Sequence, residues 1–380
     1  MKRVLSILAV LGAVALPVHG ADPVFVSPDV PTTTASGAGL LPHQIFRYTA
    51  AGPLWTLELS LPGIPPPNVD ALHRMDEPGD WLVSIEVPND LGGALASEAL
   101  PADVIRFDSS AASWSICFSA AAFGIPPTTN VDAVYMTGGD EGSLFVSFDV
   151  PTDLGPFAGP TAVEPADIVE FAPLGPGVCP GWVFAGMAFD ASTVGSGVPL
   201  TSNVGGADDV GGGTIFTLDV PTDLAPPGIT FFPGIVVGTD GVSYTTFEPL
   251  LGWPVTSEVD GVSCLANPGR VPVTMKVSKS TITPGDLTLA WAASCASGGE
   301  DYGIYEGTIG VWYNHTAIDC SDGGTALTEE ITPAVNSHYY LVVPHSHGKE
   351  EGSYGVDSTG AERPAGAGTC SPNQIISDCP

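Results

Sequence analysis

Basic residues are the scarcest component of this chain. Ten Lys and Arg stand against 42 Asp and Glu, a formal charge of −32 at pH 7. Such acidity makes nucleic acid and anionic membrane surfaces unsuitable partners, because every encounter begins with repulsion. Long apolar runs are lacking too. The longest, "VLSILAVLGAVAL" at Val4–Leu16, is too short to span a bilayer. With Lys2 and Arg3 before it and the small-residue site Val18-His19-Gly20 after it, it reads as a cleavable secretory signal over residues 1–20. The expected location is secreted or periplasmic, with no membrane insertion after cleavage. Catalytic signatures are missing as well. There is no nucleophile elbow, no His-Glu-x-x-His, no phosphate-binding loop, no Cys-x-x-Cys and no dinucleotide fingerprint. Room for long helices is absent, since 47 glycines and 37 prolines break them.

What the chain does have is a repeated phrase. "LVSIEVPND" begins at Leu82, "FVSFDVPTD" at Phe145, "IFTLDVPTD" at Ile215, and a decayed "FVSPDVPTT" at Phe25. The matching acids are Asp29, Glu86, Asp149 and Asp219, at intervals of about sixty residues, a period typical of repeat architectures. One unit read from Trp114 predicts strands over Trp114–Phe118, Val131–Met136, Leu144–Val150 and Asp167–Phe171, separated by turn residues. In the third unit "VSYTTF" takes the place of the last strand. The repeat region begins mid-unit, at "FVSPDV", and finishes mid-unit, with Trp253 and "EVDGVSCL". Two half-units make one whole if the end strands share a sheet. The expectation is therefore an all-β fold over residues 21–265. It is a four-repeat, β-propeller-like domain closed by its N- and C-terminal strands, with a sandwich or partial barrel as the rival.

The "VDA" segment, the following turn and glycine, the aromatic-rich strand and the later Pro-x-x-Ile together resemble the repeat of hemopexin-type four-bladed propellers. In that family the innermost strands surround an axial channel that holds cations. Carried over, the resemblance implicates Asp70, Asp132 and Asp260 as metal ligands, and clustered carboxylates in so acidic a chain point to Ca2+ as the ion, with solubility as the plainer reading of the acidity. The third unit departs from the pattern: Gly205 stands where the aspartate should, with Asp208 and Asp209 close behind. No histidine matches the haem ligands of that family, so haem binding is not carried over. The paired acids of "DVPTD" also suit a hard cation, although capping a turn is the commoner role of such an aspartate.

The linker 266–270 separates the repeats from residues 271–357, where strands alternate with turns. Trp291 in an early strand and Tyr339-Tyr340 in a late one resemble the core of a fibronectin type III or immunoglobulin-like β-sandwich. A Gly/Pro/Ser-rich tail fills 358–380. Seven cysteines in an exported chain imply disulfides and one sulfur over. Locality pairs Cys295 with Cys320, Cys370 with Cys379 and Cys117 with Cys179, leaving Cys264. His345 and His347 share a strand face but have no evident third ligand. Trp55, Trp114 and Trp182 recur at one repeat position and read as core, while Trp81 and Trp312 are freer to stack on a ligand. The function these features favour is a secreted, non-catalytic binding or structural protein, calcium-stabilised, whose partner is an extracellular protein or glycan. The alternative is a secreted hydrolase of polysaccharides or phosphate esters, with an acidic channel as its active site.

Overall fold

The structure is a computed structural model. It describes residues 24–376 apart from short stretches, the longest being 62–68, 155–161 and 191–197; the signal segment 1–20 lies outside the described residues. The fold is all-β, and the single helical element described is a 3-10 turn at Ala120–Phe123. No helix among the described residues is long and apolar enough to cross a membrane.

The repeats build four antiparallel sheets of four strands each. The first runs Val69–Arg74, Trp81–Ile85, Val104–Asp108, Ser113–Phe118, and the second runs Val131–Thr137, Ser143–Phe148, Ile168–Pro173, Trp182–Phe189. The third runs Val204–Asp209, Thr214–Leu218, Ile235–Thr239, Tyr244–Pro249. The fourth is composite: Val259–Cys264 pairs with Val24–Pro28, which pairs with Gln44–Tyr48 and then Trp55–Ser60. Two boundaries differ from expectation. Each tryptophan strand closes the preceding sheet, so Trp114 pairs with Phe107 and does not open the sheet of Val131. In the third sheet Ile235–Thr239 takes the third place, and Tyr244–Pro249, which holds the described part of "VSYTTF", is the outer strand, equivalent to the tryptophan strands. The reason is connection length: the Val131 and Ser143 strands form a tight hairpin, and the sheet grows outward from it.

The leading strands, Val69–Arg74, Val131–Thr137, Val204–Asp209 and Val259–Cys264, lie against one another. Small residues permit that approach. A Cβ on Gly206 would sit 2.8 Å from the Val262 nitrogen, and one on Gly261 would sit 2.8 Å from the Leu72 side chain.

Adjacent sheets are stitched by polar groups from the repeated phrase. Buried Ser84, Ser147 and Thr217 donate to the carbonyls of Val131, Val204 and Val259 at 2.5, 3.2 and 2.8 Å. The same or equivalent valines, Val69, Val131 and Val204, donate their N–H groups to the carbonyls of Pro42, Pro101 and Pro165. These buried hydroxyls and carbonyls are thereby satisfied, each bond contributing about 1 kcal/mol. Trp182 adds a bond from its indole N–H to the Cys117 carbonyl at 2.9 Å, beside the Cys117–Cys179 bridge. Trp114 and Trp182 are core, and so is Trp81, which is 1% exposed and set edge-on against Phe25; it offers no ligand platform.

The C-terminal region contributes a three-stranded sheet (Lys276–Lys279, Leu287–Ala290, Thr328–Ile331) and a four-stranded one (Thr316–Asp319, Asp301–Thr308, His338–Ser346, Glu350–Glu351). Leu289, Trp291, Tyr302, Ile304, Ile331 and Val342, drawn from or next to these sheets, share one core cluster. The disulfide pattern here corrects the expectation from locality. Cys320 is bonded to Cys370, not to Cys295, and Cys370 is therefore not paired with Cys379. The tail turns back along the sheet edge, with the Ala317 N–H on the Gly368 carbonyl at 3.0 Å and the Cys370 N–H on the Tyr305 hydroxyl at 2.8 Å. That return brings the two sulfurs together. Cys295 is disulfide-bonded as well, while Cys379 and the side chain of Cys264 lie outside what is described.

Candidate functional site

One feature recurs in the leading strand pair of all four sheets. Pairing slips at the second residue of the leading strand: Val69 opposes Ile85 but Ala71 opposes Ser84, and Val131 opposes Phe148 but Ala133 opposes Ser147. The same slip occurs at Val204/Gly206 and between Ser27 and Pro28 opposite the fourth leading strand. The residues left out of the ladder are Asp70, Asp132, Gly205 and Asp260. A β-bulge re-aims the side chain it frees. Here it turns three carboxylates into one cavity of about 460 Å3, which Gly205 also lines.

Sequence reasoning did not anticipate that the acids of the repeated phrase line the same cavity. Asp29, Glu86, Asp149 and Asp219 each follow the strand paired with a leading strand, and Glu258 precedes the fourth leading strand. The signal was available, because an antiparallel hairpin puts the start of "NVDA" and the end of "FDV" at one end. Two of these acids also hold the hairpin shut. Asp149 accepts from the Asn130 N–H at 2.8 Å, and Asp219 from the Asn203 N–H at 2.9 Å. The second acids of "DVPTD" do not line the cavity; Asp153 belongs to a short outer ribbon paired with Ala162.

Asparagines link the sheets across this end. Asn130 donates from Nδ2 to Asp70 at 2.6 Å and to Asp132 at 3.0 Å, and Asn203 donates to Asp132. Each asparagine thus reaches back to the bulged aspartate of the preceding sheet. At the next junction the pattern inverts: Gly205 replaces the acceptor and Glu258 replaces the donor. The amide oxygens of Asn130 and Asn203 are themselves buried without a hydrogen-bond partner.

The described lining contains no Lys, Arg or His. Burial pushes the Asp70 carboxyl up to about 7 against the opposing effect of its Asn130 bond, with repulsion from Glu86 and Asp149 adding to the rise. Asp260 rises to about 10, by burial first and then by Asp70, Asp29, Glu258 and Asp132. Burial also drives Asp132 well above the usual carboxylate range, and takes Glu258 to about 7 with help from Asp29 and Asp219. Among the described residues no three carboxylate, histidine or cysteine side chains converge closely enough to hold a metal by themselves. Any ion seated here would draw on the orphaned amide oxygens or on water for the rest of its shell.

The opposite ends of the same leading strands look different. His73 Nδ1 lies 3.1 Å from Asp208 Oδ1, and the Ser263 hydroxyl donates to Asp208 Oδ2 at 2.8 Å. Asp208, which follows Gly205 closely in sequence, therefore does not fill the gap in the aspartate set. The serine is bonded to the carboxylate rather than to the imidazole, and His73, Asp208 and Ser263 are at most 2% exposed, so this is no nucleophile arrangement. Arg74 lies over the Phe25 ring and donates to Glu350 of the C-terminal region at 2.8 Å. His345 is likewise buried, on the strand opposite Asp301, and His347 lies outside the described residues.

No family model matches the chain, and no curated protein matches it, so neither resemblance drawn from its motifs has a match behind it. Among solved structures it is similar to extracellular, all-β domains of bacterial proteins. One is the extracellular domain of the putative one component system BT4673 from B. thetaiotaomicron, at 7% identity and TM-score 0.27, covering 86% of this chain and 54% of that one. The N-terminal domain of Nup159 gives 10% identity and TM-score 0.23 over 70% of this chain and 56% of that one. The periplasmic gluconolactonase of Pseudomonas aeruginosa gives 10% and 0.25, over 90% and 94%. The chain spans 36–56% of the length of the first four such structures.

Proposed function

We propose that this is an extracytoplasmic, non-catalytic binding protein whose four repeat sheets form the blades of a closed propeller, and whose axial cavity takes a hard cation, calcium by preference. The observation that carries the reading is the cavity itself. Eight carboxylates line it, no described basic group compensates them, and two buried amide oxygens beside them lack partners. A divalent cation offsets the burial, and with it the mutual repulsion, that raises Asp70 and Asp260, and amide and carboxylate oxygens are the donors calcium prefers. Propeller closure is supported by the pairing of Val24–Pro28 with Val259–Cys264 and by the mutual contacts of the four leading strands. The extracytoplasmic location is supported by the signal-like leader and the disulfides. The two C-terminal sheets around one core favour a sandwich over 271–357 that braces the repeats through Arg74 and Glu350.

Calorimetric melting in calcium, in magnesium and in chelator tests the reading. Calcium should raise the melting temperature by acting on the folded state alone, and magnesium, which demands a tighter octahedron, should do so much less. Asp132→Asn should cut the calcium response. Superimposable curves in calcium and chelator would make the acids turn-formers and the protein a scaffold.

One observation favours the hydrolase alternative: Asp70 and Glu258, both raised to about 7, share a cavity with other carboxylates, the arrangement that separates an acid from a base. Turnover of aryl glycosides or phosphate esters that disappears in Glu258→Gln would establish it over the binding reading.

A further inference from the structure

The C-terminal four-stranded sheet carries an aromatic turn that plays no part in the acidic cavity. Residues 309–315 join strand Asp301–Thr308 to strand Thr316–Asp319, and within them Trp312 and Tyr313 are 63% and 44% exposed. Large aromatics left in water at a turn oppose the hydrophobic effect, and a loop that retains them is a candidate for recognition. This turn is also held rigidly. The Val311 N–H bonds the Thr308 carbonyl and the Ile309 N–H bonds the Ser337 carbonyl, both at 3.0 Å. The Thr308 N–H bonds the Asn314 side chain at 3.0 Å. Behind the turn stands Tyr339, its ring 5.5 Å from that of Trp312 and its hydroxyl accepting from the Tyr313 N–H at 3.2 Å. Tyr313 adopts φ +66°, a conformation an aromatic residue takes only when its surroundings impose it. The imposed conformation presents the two rings.

We propose that Trp312 and Tyr313 form a saccharide platform on which a pyranose ring of a neutral extracellular polysaccharide stacks, with the Asp357 carboxylate receiving its hydroxyls. The Tyr313 hydroxyl reaches Asp357 Oδ2 at 3.3 Å, placing an ionised acceptor at the rim of the apolar surface. Thr359 and the backbone N–H groups of Thr359 and Ala361 fix that carboxylate through its other oxygen and hold it below the usual range. An aromatic face for the C–H side of a sugar, beside a fixed acceptor for its equatorial hydroxyls, matches a carbohydrate. A lipid surface fits poorly, since the carboxylate would have to enter it and the chain carries −32 overall. Preorganised rings lose little freedom on binding, which suits the weak, repeated contacts of a polymer ligand.

Native electrophoresis of the full chain through gels containing hydroxyethyl cellulose, galactomannan or xylan tests this. Retardation in at least one gel is expected. Trp312→Ala should weaken that retention about tenfold or more, with unchanged melting because the side chain is exposed, and Trp312→Phe should keep part of it. Asp357→Asn should weaken retention without abolishing it. The proposal is overturned if no gel retards the chain, or if Trp312→Ala is retarded equally. Trp312-dependent sedimentation with phosphatidylcholine vesicles would overturn it in favour of a lipid surface. Loss of the calcium response in Asp132→Asn leaves this test untouched, so the two sites fail independently.

Discussion

The two ends of the leading strands lie a single short strand apart, yet they treat charge in opposite ways. Asp70 and Arg74 lie on one strand, Val69–Arg74. At the Arg74 end opposite charges are paired: His73 meets Asp208, and Arg74 meets Glu350. At the Asp70 end carboxylates face carboxylates, and asparagines supply neutral bonds to Asp70, Asp132, Asp149 and Asp219. Compensation marks the end where the C-terminal region packs; its lack marks the end kept for something else. A bulge of one residue separates these outcomes, because it decides which side chains leave the ladder.

The largest effect that would break this contrast comes from neutralising one acid at each end. Glu350→Gln should cost about 3–5 kcal/mol in urea unfolding, because Arg74 is left buried without its partner. Asp260→Asn, in chelator, should cost nothing or stabilise near neutral pH, since it removes the cost of keeping a buried carboxyl protonated among carboxylates. Equal losses at both ends would show that the acidic end is compensated after all.

A smaller effect sharpens the comparison through pH. Asp70, Glu258 and Asp260 hold protons in the folded state at pH values where the unfolded chain has released them. Stability in chelator should therefore be full at low pH and decline as pH rises from the ordinary carboxylate range through about 7, continuing towards about 10 for Asp260. Melting temperatures at about pH 5 and about pH 8 read the slope, and calcium should flatten it. A flat profile without calcium would contradict the burial of these acids.

The smallest expected effect concerns the stitching between sheets. Ser147→Ala should cost about 1 kcal/mol or somewhat more, leaving the Val204 carbonyl without its bond, whereas Ser143→Ala, bonded to Glu170 at a less buried position, should cost less. Chemical unfolding of the two variants side by side decides it.

Much of this was legible in the sequence for physical reasons that can be named. Repetition of "FVSFDVPTD" announced equivalent strands, and the half-units at Phe25 and Val259 announced a shared sheet, because a strand without partners is costly. The phase of the repeat was not legible: nothing local says whether Trp114 pairs forward or back, and hairpin connectivity decides it. Asp70, Asp132 and Asp260 were brought together as expected of their matching positions, but the bulge that aims them is a property of pairing and leaves no residue signature. Ser84, Ser147 and Thr217 stood in plain view within the phrase, yet their partners lie in the next unit, beyond any local pattern. Cys320 found Cys370 because the tail returns along an edge strand, a long-range event that local spacing does not encode.

The composite fourth sheet has a consequence for how the chain acquires its shape. Val24–Pro28 is fully buried, and its ladder partner is Val259–Cys264. During synthesis the first of these segments emerges long before the second, and for that interval it is an apolar ribbon with an open edge. Its neighbours Gln44–Tyr48 and Trp55–Ser60 can cover one side early; the other side waits until nearly the whole repeat region has followed. The last step of assembly is thus a meeting of distant segments, slow and prone to mispairing with other chains. A chaperone that shields extended apolar segments would act on this protein chiefly during that wait.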